Sequence, residues 1–282
     1  MVRKIKRSEI SVAYFFCIYE KDSNFISLAL SKNKIHSYKI SSEVPLAVWN
    51  RRIVADKLCL CLFYQFEELD HFRDSVFYNQ LLLWGPERSH IVKPIYDRSP
   101  EILKELKLNE SNIGFYSTGG WIRKKLGHLE QGLNFIDNET IVLEVLMKYC
   151  LENKKKLLVF LHPREKKSEF LAETKQHYKQ LLNRVDYDFA NLDEPTSALF
   201  HKVNVAVAYT STIVFERVYF GFKTLILPLG FKDFPLQGTG FSRISASSHD
   251  DLLAKATLAM TQSTAEFFEA NELKKYTNYN WN

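Results

Sequence analysis

Hydrophobic and polar positions follow two different rhythms along the chain. From about residue 110, short apolar runs alternate regularly with segments whose apolar residues recur at helical spacing. NIGFYST (112–118), KLLVFLHP (156–163), YDFANL (187–192), NVAVAYT (204–210) and KTLILPLG (223–230) read as strands. NETIVLEVLMKYCLENK (138–154), SEFLAETKQHYKQLLNRV (168–185), TSALFHKV (196–203), STIVFERVYFG (211–221) and HDDLLAKATLAM (249–260) read as the helices between and after them. Strands alternating with helices at this spacing predict right-handed crossovers and a doubly wound parallel sheet. The first hundred residues are less regular. SVAYFFCIY (11–19) and KLCLCLFYQF (57–66) have strand character, and QLLLWGP (80–86) ends on Gly85-Pro86. HIVKPIYDRSPEI reads as a crossing linker, because Pro94 and Pro100 would interrupt a helix.

Composition narrows the class. With 282 residues, 46% of them apolar and only 10 glycines and 8 prolines, the chain has the material for one large or two modest packed domains and excludes extended disorder. A formal charge of +5 is a mild basic excess, suited to anionic substrates or lipid headgroups and without the dense basic patterning of a nucleic-acid binder. Cys17, Cys59, Cys61 and Cys150 are too few and too irregular for a disulfide framework or a zinc site, which predicts reduced, mostly buried thiols and a cytoplasmic location. The apolar stretch 11–19 is too short to span a bilayer and ends at Glu20-Lys21-Asp22, so a core strand is expected there instead of a signal peptide. Lys4, Lys6 and Arg7 could touch anionic lipid.

Ligands of open parallel sheets bind beyond the carboxyl ends of the strands, so the residues after each strand are the candidates for chemistry. Four such tips are expected to converge: Ser117-Thr118-Gly119-Gly120, His162-Pro163-Arg164-Glu165, Asp193-Glu194-Pro195-Thr196 and Thr210-Ser211-Thr212. Ser211 and Thr212 lie where a helix begins, so hydroxyls, free amides and the positive end of the helix dipole could face a phosphate together. The plainer reading is that Thr210 or Ser211 caps the helix. Glu216, in the same helix, could reach a ribose, or carry an ordinary surface charge. A protonated His162, held by Pro163, could bind a phosphate oxygen or donate a proton to it; its plainer role is structural. Gly119 and Gly120 allow close backbone approach to a ligand, followed by Arg123 and Lys124. The loop matches neither the phosphate-loop motif nor GxGxxG, and it could equally be a tight turn with Trp121 in the core.

The order of these pieces carries more than any one of them. A His-Pro after a buried strand, followed about fifty residues later by Ser-Thr at a helix start, resembles the His-Pro and Ser-Ser/Ser-Thr motifs of bacterial sialyltransferases and Kdo transferases. The resemblance covers roughly residues 110–260 and carries over His162, Pro163, Ser211 and Thr212, with Glu216 matched less closely. It implies a GT-B-like α/β fold, two Rossmann-type domains with parallel sheets facing a cleft. Residues 1–105 would form the acceptor side and 106–282 the nucleotide-sugar donor side. The segment NVAVAY, STIVFERVYFG, KTLILP also looks like the donor half of GT-B transferases and sugar-nucleotide epimerases in general.

The resemblance implies transfer of a sialic-acid-like or Kdo-like sugar from a CMP donor to a bacterial surface glycan such as lipopolysaccharide, O-antigen or capsule. Donor contacts would come from Ser117, Thr118, Gly119, Gly120, His162, Pro163, Thr196, Thr210, Ser211, Thr212 and Glu216. No metal or other cofactor is expected, and no nucleic-acid partner. The acceptor would be a glycan or lipid-linked glycan, met by peripheral contact with the inner membrane. One family feature is missing: no acidic pair followed by glycine precedes His162. The substitutes for the catalytic base are Glu67, Glu68 and Asp70, after the strand ending at Phe66, and Glu130 in Glu130-Gln131-Gly132. Glu67 and Glu68 could instead be ordinary acids at a helix start. A UDP- or GDP-sugar transferase, an epimerase, and a catalytically silent nucleotide- or glycan-binding protein are the alternatives.

Overall fold

A computed structural model of the chain describes residues 11–16, 21–41, 52–71, 73–86, 88–127, 135–231 and 234–281. The chain divides into two compact units, residues 1–90 and 91–282. In the first, β1 (Val12–Phe15), β2 (His36–Ser41), β3 (Ile53–Leu60) and β4 (Val76–Leu83) lie side by side in chain order, all parallel. Helix α1 (Lys21–Ser31) lies between β1 and β2 in the chain, and α2 (Tyr64–His71) between β3 and β4.

The apolar run 57–66 is divided between two elements. The strand stops at Leu60, and Tyr64, Gln65 and Phe66 begin α2. Gln65 fixes this turn: its Oε1 accepts from the amides of Cys61 (2.6 Å) and Leu62 (2.9 Å), while its Nε2 donates to Ser41 Oγ (3.0 Å). A buried side-chain amide thus takes over the backbone groups that the ending strand leaves unpaired.

The segment read as a linker is helical. Helix α3 (Ser89–Tyr96) contains Pro94, and α4 (Ser99–Leu108) carries Pro100 in its first turn, where a missing N–H costs no helical bond. Both contribute to the second unit. The buried Tyr96 hydroxyl donates to Ser197 O (2.5 Å) and accepts from the Phe200 amide (3.0 Å), and Lys202 reaches Glu105 at 2.7 Å. The second unit therefore begins at Ile91, some fifteen residues before the boundary read from the sequence.

The second unit holds a five-stranded parallel sheet in the order β7-β6-β5-β8-β9, from β5 (Asn112–Tyr116), β6 (Lys156–Phe160), β7 (Tyr187–Phe189), β8 (Val205–Ala208) and β9 (Lys223–Ile226). Every residue of β8 and β9 is buried, the pattern of strands covered on both faces. Between them run α5 (Gly120–Lys125), α6 (Phe135–Asn153), α7 (Ser168–Leu181), a 3-10 helix (Thr196–Lys202) and α8 (Thr212–Tyr219). The sheet is followed by α9 (Gly240–Arg243), α10 (His249–Thr261) and α11 (Thr264–Ala270).

Two buried cations tie these layers together. Arg217 of α8 is fully buried between the rings of Phe200 and Phe222 and donates to the carbonyls of Lys223, Phe200 and Val203 (3.0, 2.6 and 2.9 Å) and to Tyr116 Oη (3.2 Å). Lys223 Nζ donates to Ala259 O (2.7 Å) and Gln262 O (2.6 Å), neutralising the carboxyl end of α10. Cys59, Cys61 and Cys150 are free and buried, as expected; Cys17 lies outside the described residues.

Candidate functional site

The order in which strands are added reverses at β5. The chain leaves β5 for β6 and β7 on one side, then returns to β8 and β9 on the other. The crevice beyond the carboxyl ends of β5 and β8 is thus the topological switch point, where ligands of open α/β sheets bind. Three of the four expected tips border it: Ser117–Gly120 after β5, His162–Arg164 after β6 and Tyr209–Thr212 after β8. Asn138 of α6 donates to Tyr209 Oη (2.9 Å) and its neighbour Glu139 holds the β5 tip, so α6 links two of the three.

The loop 117–120 does make an anion nest, and the protein fills it with a carboxylate of its own. Glu139 of α6 is buried and accepts from the amide of Thr118, the hydroxyl of Thr118 (2.7 Å) and the amide of Gly120 (2.7 Å). Ser117 Oγ lies 3.4 Å from the same carboxylate and accepts from the Gly119 amide (2.8 Å). The amides of residues 118–120 are therefore committed internally. Ser117, Thr118, Gly119 and Gly120 shape the site without the backbone cradle for a phosphate that their sequence suggested. Glu139 itself escaped the sequence reading, although a signal existed. With Val142, Leu143 and Leu146 it occupies positions i, i+3, i+4 and i+7, an acid on the apolar stripe of a helix, and all four are buried.

Gly119 is left-handed, with φ +74°, and its missing side chain makes room for His162. A Cβ there would come within 3.1 Å of the ring's Nδ1. Nδ1 accepts from the Arg164 amide at 3.2 Å, so the neutral ring carries its proton on Nε2. Burial, aided by the charges of Arg123 and Arg164, lowers the pKa of His162 to about 4. The expectation of a protonated histidine is corrected accordingly: near neutral pH, His162 offers a neutral N–H donor. Its own amide donates to Glu165 Oε2 (2.8 Å), and Glu165 is fully buried behind it. Pro163 is exposed, and Arg164 is half-buried. Arg123 Nε donates to Thr118 O (3.0 Å), bringing a guanidinium beside the β5 tip.

The β8 tip opens α8. Ser211 is its N-cap in extended conformation, and its Oγ accepts from the Ile213 amide at a long 3.4 Å. The capping role foreseen for Ser211 is thus present but weak, and it leaves the first turn of α8 with its positive end toward the crevice. Thr210, Ser211 and Thr212 are half-buried there. Glu216 lies one turn along α8, close enough to raise the pKa of the Tyr116 hydroxyl, which burial already pushes up.

Other expected residues lie apart from this group. Thr196 is half-buried at the start of the 3-10 helix, whose N-cap is Pro195, beyond the edge strand β7. Glu67 and Glu68 belong to α2 in the first unit, where Glu67 is an acid of the first turn, as the plainer expectation had it. Glu68 is buried, which leaves Glu67 and Asp70 as the members that solvent reaches. Glu130 lies outside the described residues, as do Lys4, Lys6 and Arg7. Among the described residues, no group of three or more His, Cys, Asp or Glu side chains could hold a metal ion, and no helix is long and apolar enough to cross a membrane.

Two parallel-sheet α/β Rossmann-like domains define the class, and solved structures share it. UDP-GlcNAc 2-epimerase from Neisseria meningitidis, bound to UDP-GlcNAc, is similar over 96% of this chain and 73% of its own, with 11% identity and a TM-score of 0.54. The UDP-GlcNAc 2-epimerase of Methanocaldococcus jannaschii, in complex with UDP-GlcNAc and UDP, is similar over 93% and 72%, with 10% identity and a TM-score of 0.52. MurG of Acinetobacter baumannii is similar over 99% and 72%, with 10% identity and a TM-score of 0.50. The fold is therefore that of GT-B enzymes. More particularly, residues 117–234 match the model of a family described as "putative O-antigen biosynthesis protein". That stretch begins at Ser117 and contains Glu139, His162, Glu165, Ser211, Thr212 and Glu216. No curated protein sequence matches the chain.

Proposed function

We propose that this protein is a glycosyltransferase of bacterial surface-glycan synthesis whose nucleotide-sugar donor binds beyond the carboxyl ends of β5 and β8. The observation that carries this reading is the arrangement at the switch point. The first turn of α8, the hydroxyls of Ser211 and Thr212, and the neutral ring of His162 border one crevice beside a loop whose amides are already satisfied. Similarity of residues 117–234 to a family described in terms of O-antigen biosynthesis supports the glycan assignment.

In this reading the donor phosphate rests on the start of α8, and His162 Nε2–H donates to one of its oxygens. Glu216 reaches the ribose. As the sugar–phosphate C–O bond breaks, its electron pair leaves with the nucleotide, and the amino end of α8 stabilises the charge that develops. The acceptor hydroxyl forms the new C–O bond and gives its proton to a carboxylate acting as general base. No step uses a metal, and activity that survives a chelator would support that. A lipid-linked acceptor would bring the protein to the membrane surface.

The order of His-Pro and Ser-Thr favours a CMP-linked sialic-acid-like or Kdo-like donor. A uridine donor, for transfer or epimerisation, is the second reading, favoured by the UDP-GlcNAc bound in two of the similar structures. Thermal-shift titration with CMP, UDP and GDP, followed by nucleotide release from the corresponding sugars, tests all of this. Selective stabilisation by CMP supports the first donor and by UDP the second, while binding without turnover indicates a silent binding protein. No stabilisation by any of the three overturns the nucleotide-sugar reading.

A further inference from the structure

Behind the crevice lie two buried carboxyl groups, Glu139 and Glu165, to which no step of the proposed reaction has been assigned. Each holds one tip. Glu139 gathers the Thr118 and Gly120 amides and the Thr118 hydroxyl, and Glu165 takes the His162 amide. The Ser117 hydroxyl lies near both, 3.4 Å from Glu139 and hydrogen-bonded to Glu165 as well. We propose that Glu139 and Glu165 are positioning residues that hold a single negative charge between them, Glu139 ionised and Glu165 neutral. This arrangement sets the Gly119–His162 contact that orients the ring toward a phosphate.

Counting donors decides which group keeps the proton. Glu139 faces three strong donors and the Ser117 hydroxyl, all satisfied by an ionised acceptor. Glu165 Oε2 accepts one amide, its Oε1 lies 3.3 Å from the hydroxyl of Tyr178, and it shares the single Ser117 hydroxyl proton with Glu139, so it faces one backbone amide where Glu139 faces two. Among the described residues, the groups that act on Glu165 are hydroxyls, an amide and a second carboxyl group. Glu165 is packed against Tyr178 and Thr174 of α7, Glu139 of α6, Ser117 of the β5 tip, and His162 in its own turn. Glu139 faces in addition Tyr209, which follows β8. Arg123 and Arg164 act on His162. Burial raises both carboxyl groups, and the proximity of Glu139 raises Glu165 further, in the same direction as the donor count. Two carboxylates in so dry a site do not both ionise near neutral pH. Ionising Glu165 would put a second negative charge directly behind the ring and the phosphate it is to meet.

The charge arrangement itself is independent of any ligand; only the orientation of His162 toward phosphate rests on the nucleotide reading. Glu165→Gln imitates the neutral acid in size and hydrogen bonding, and can be compared with the unaltered protein from pH 5 to 9. In ¹³C NMR of glutamate-labelled full-length protein, one carboxyl resonance should titrate well above the normal glutamate range and vanish in E165Q. The melting temperature of the unaltered protein should fall relative to E165Q as pH rises through that range, because the folded state holds a proton that the unfolded state releases. With CMP and UDP as probes, E165Q should bind within about twofold of the unaltered protein at pH 7 and keep that affinity at pH 8.5, where the unaltered protein weakens about tenfold. Glu165→Leu, which cannot hold the His162 amide, should weaken binding at every pH. Parallel melting curves with no displaced resonance overturn the shared charge. If the displaced resonance and the melting difference are present but nucleotide affinity has the same pH dependence in both proteins, the positioning role is overturned. If they are present and neither nucleotide binds either protein, the nucleotide reading fails and the orienting role falls with it, while the charge arrangement stands.

Discussion

Gly119 and His162 are fitted to each other: the glycine has a left-handed backbone, and the imidazole occupies the space that a side chain would need. Two tips 43 residues apart in the chain thereby become one surface. Gly119→Ala should fail on both counts. The left-handed conformation costs an L-residue about 1–2 kcal/mol, and a methyl 3.1 Å from Nδ1 and 3.3 Å from Ile122 pushes the ring away. The expected result is a lower melting temperature together with weaker nucleotide binding. Preserved affinity in the folded variant would show that the ring's position does not matter to the ligand.

Ser211 and Thr212 offer a cleaner separation of binding from stability. The cap bond from Ser211 is long, so Ser211→Ala with Thr212→Ala should cost well under the ~1 kcal/mol of a good N-cap. Nucleotide affinity should nevertheless fall by about tenfold or more, as expected when charge-assisted hydrogen bonds of about 1.5–3 kcal/mol are lost. Calorimetry that finds unchanged affinity in the double variant would move the phosphate elsewhere.

Much of the second unit was legible because its strands are buried on both faces and read as unbroken apolar runs: NIGFY, KLLVF, VAVA and KTLI all lie where their hydropathy puts them. The first unit hides its pattern. In β2, HSYKIS, the fully buried residues are Ser37 and Lys39, and the Nζ of Lys39 is satisfied by Ser23 (3.1 Å) and Asn24 (2.5 Å) of α1, a partnership that no local pattern announces. The candidate site shows the same limit. Strand tips and the helix start could be read, but the occupant of the glycine loop could not, since Glu139 lies about twenty residues on and acts only after α6 has packed. The position of His162 after a strand could be read, but the burial and the two nearby arginines that lower its pKa are tertiary facts.

Arg217 should be the most sensitive position in the second unit. Its guanidinium is enclosed by two aromatic rings and donates to four carbonyls and a tyrosine hydroxyl, so truncation leaves several buried acceptors unsatisfied at about 1–3 kcal/mol each. Lysine cannot reproduce the planar fork. Both Arg217→Ala and Arg217→Lys should lower the melting temperature by more than about 10 °C or prevent folding, judged from the scaling of stability with size. A near-normal melting curve for Arg217→Lys would mean that the charge matters more than the fork.

The acid response should come from buried histidines. His162 and His201 both have pKa values lowered to about 4, in each case first by burial. The unfolded chain takes up these protons near pH 6.5 and the folded chain only near pH 4, so below about pH 6.5 each histidine favours unfolding progressively. Their contribution to stability is present above that window and lost as pH falls through it. Glu165 slopes the opposite way between the ordinary glutamate range and its own raised value, so a melting curve of the unaltered protein superposes the two. Substitution separates them. His162→Asn and His201→Asn should each flatten the loss of melting temperature between pH 6.5 and 4, relative to the unaltered protein, and His162→Asn alone should also reduce nucleotide-dependent turnover at pH 7. Because the ring is neutral there, turnover in the unaltered protein should show no limb near pH 6.5, the signature a protonated histidine would leave. An activity profile that falls as pH rises through 6.5, and flattens in His162→Asn, would restore the charged form of His162 as the working one.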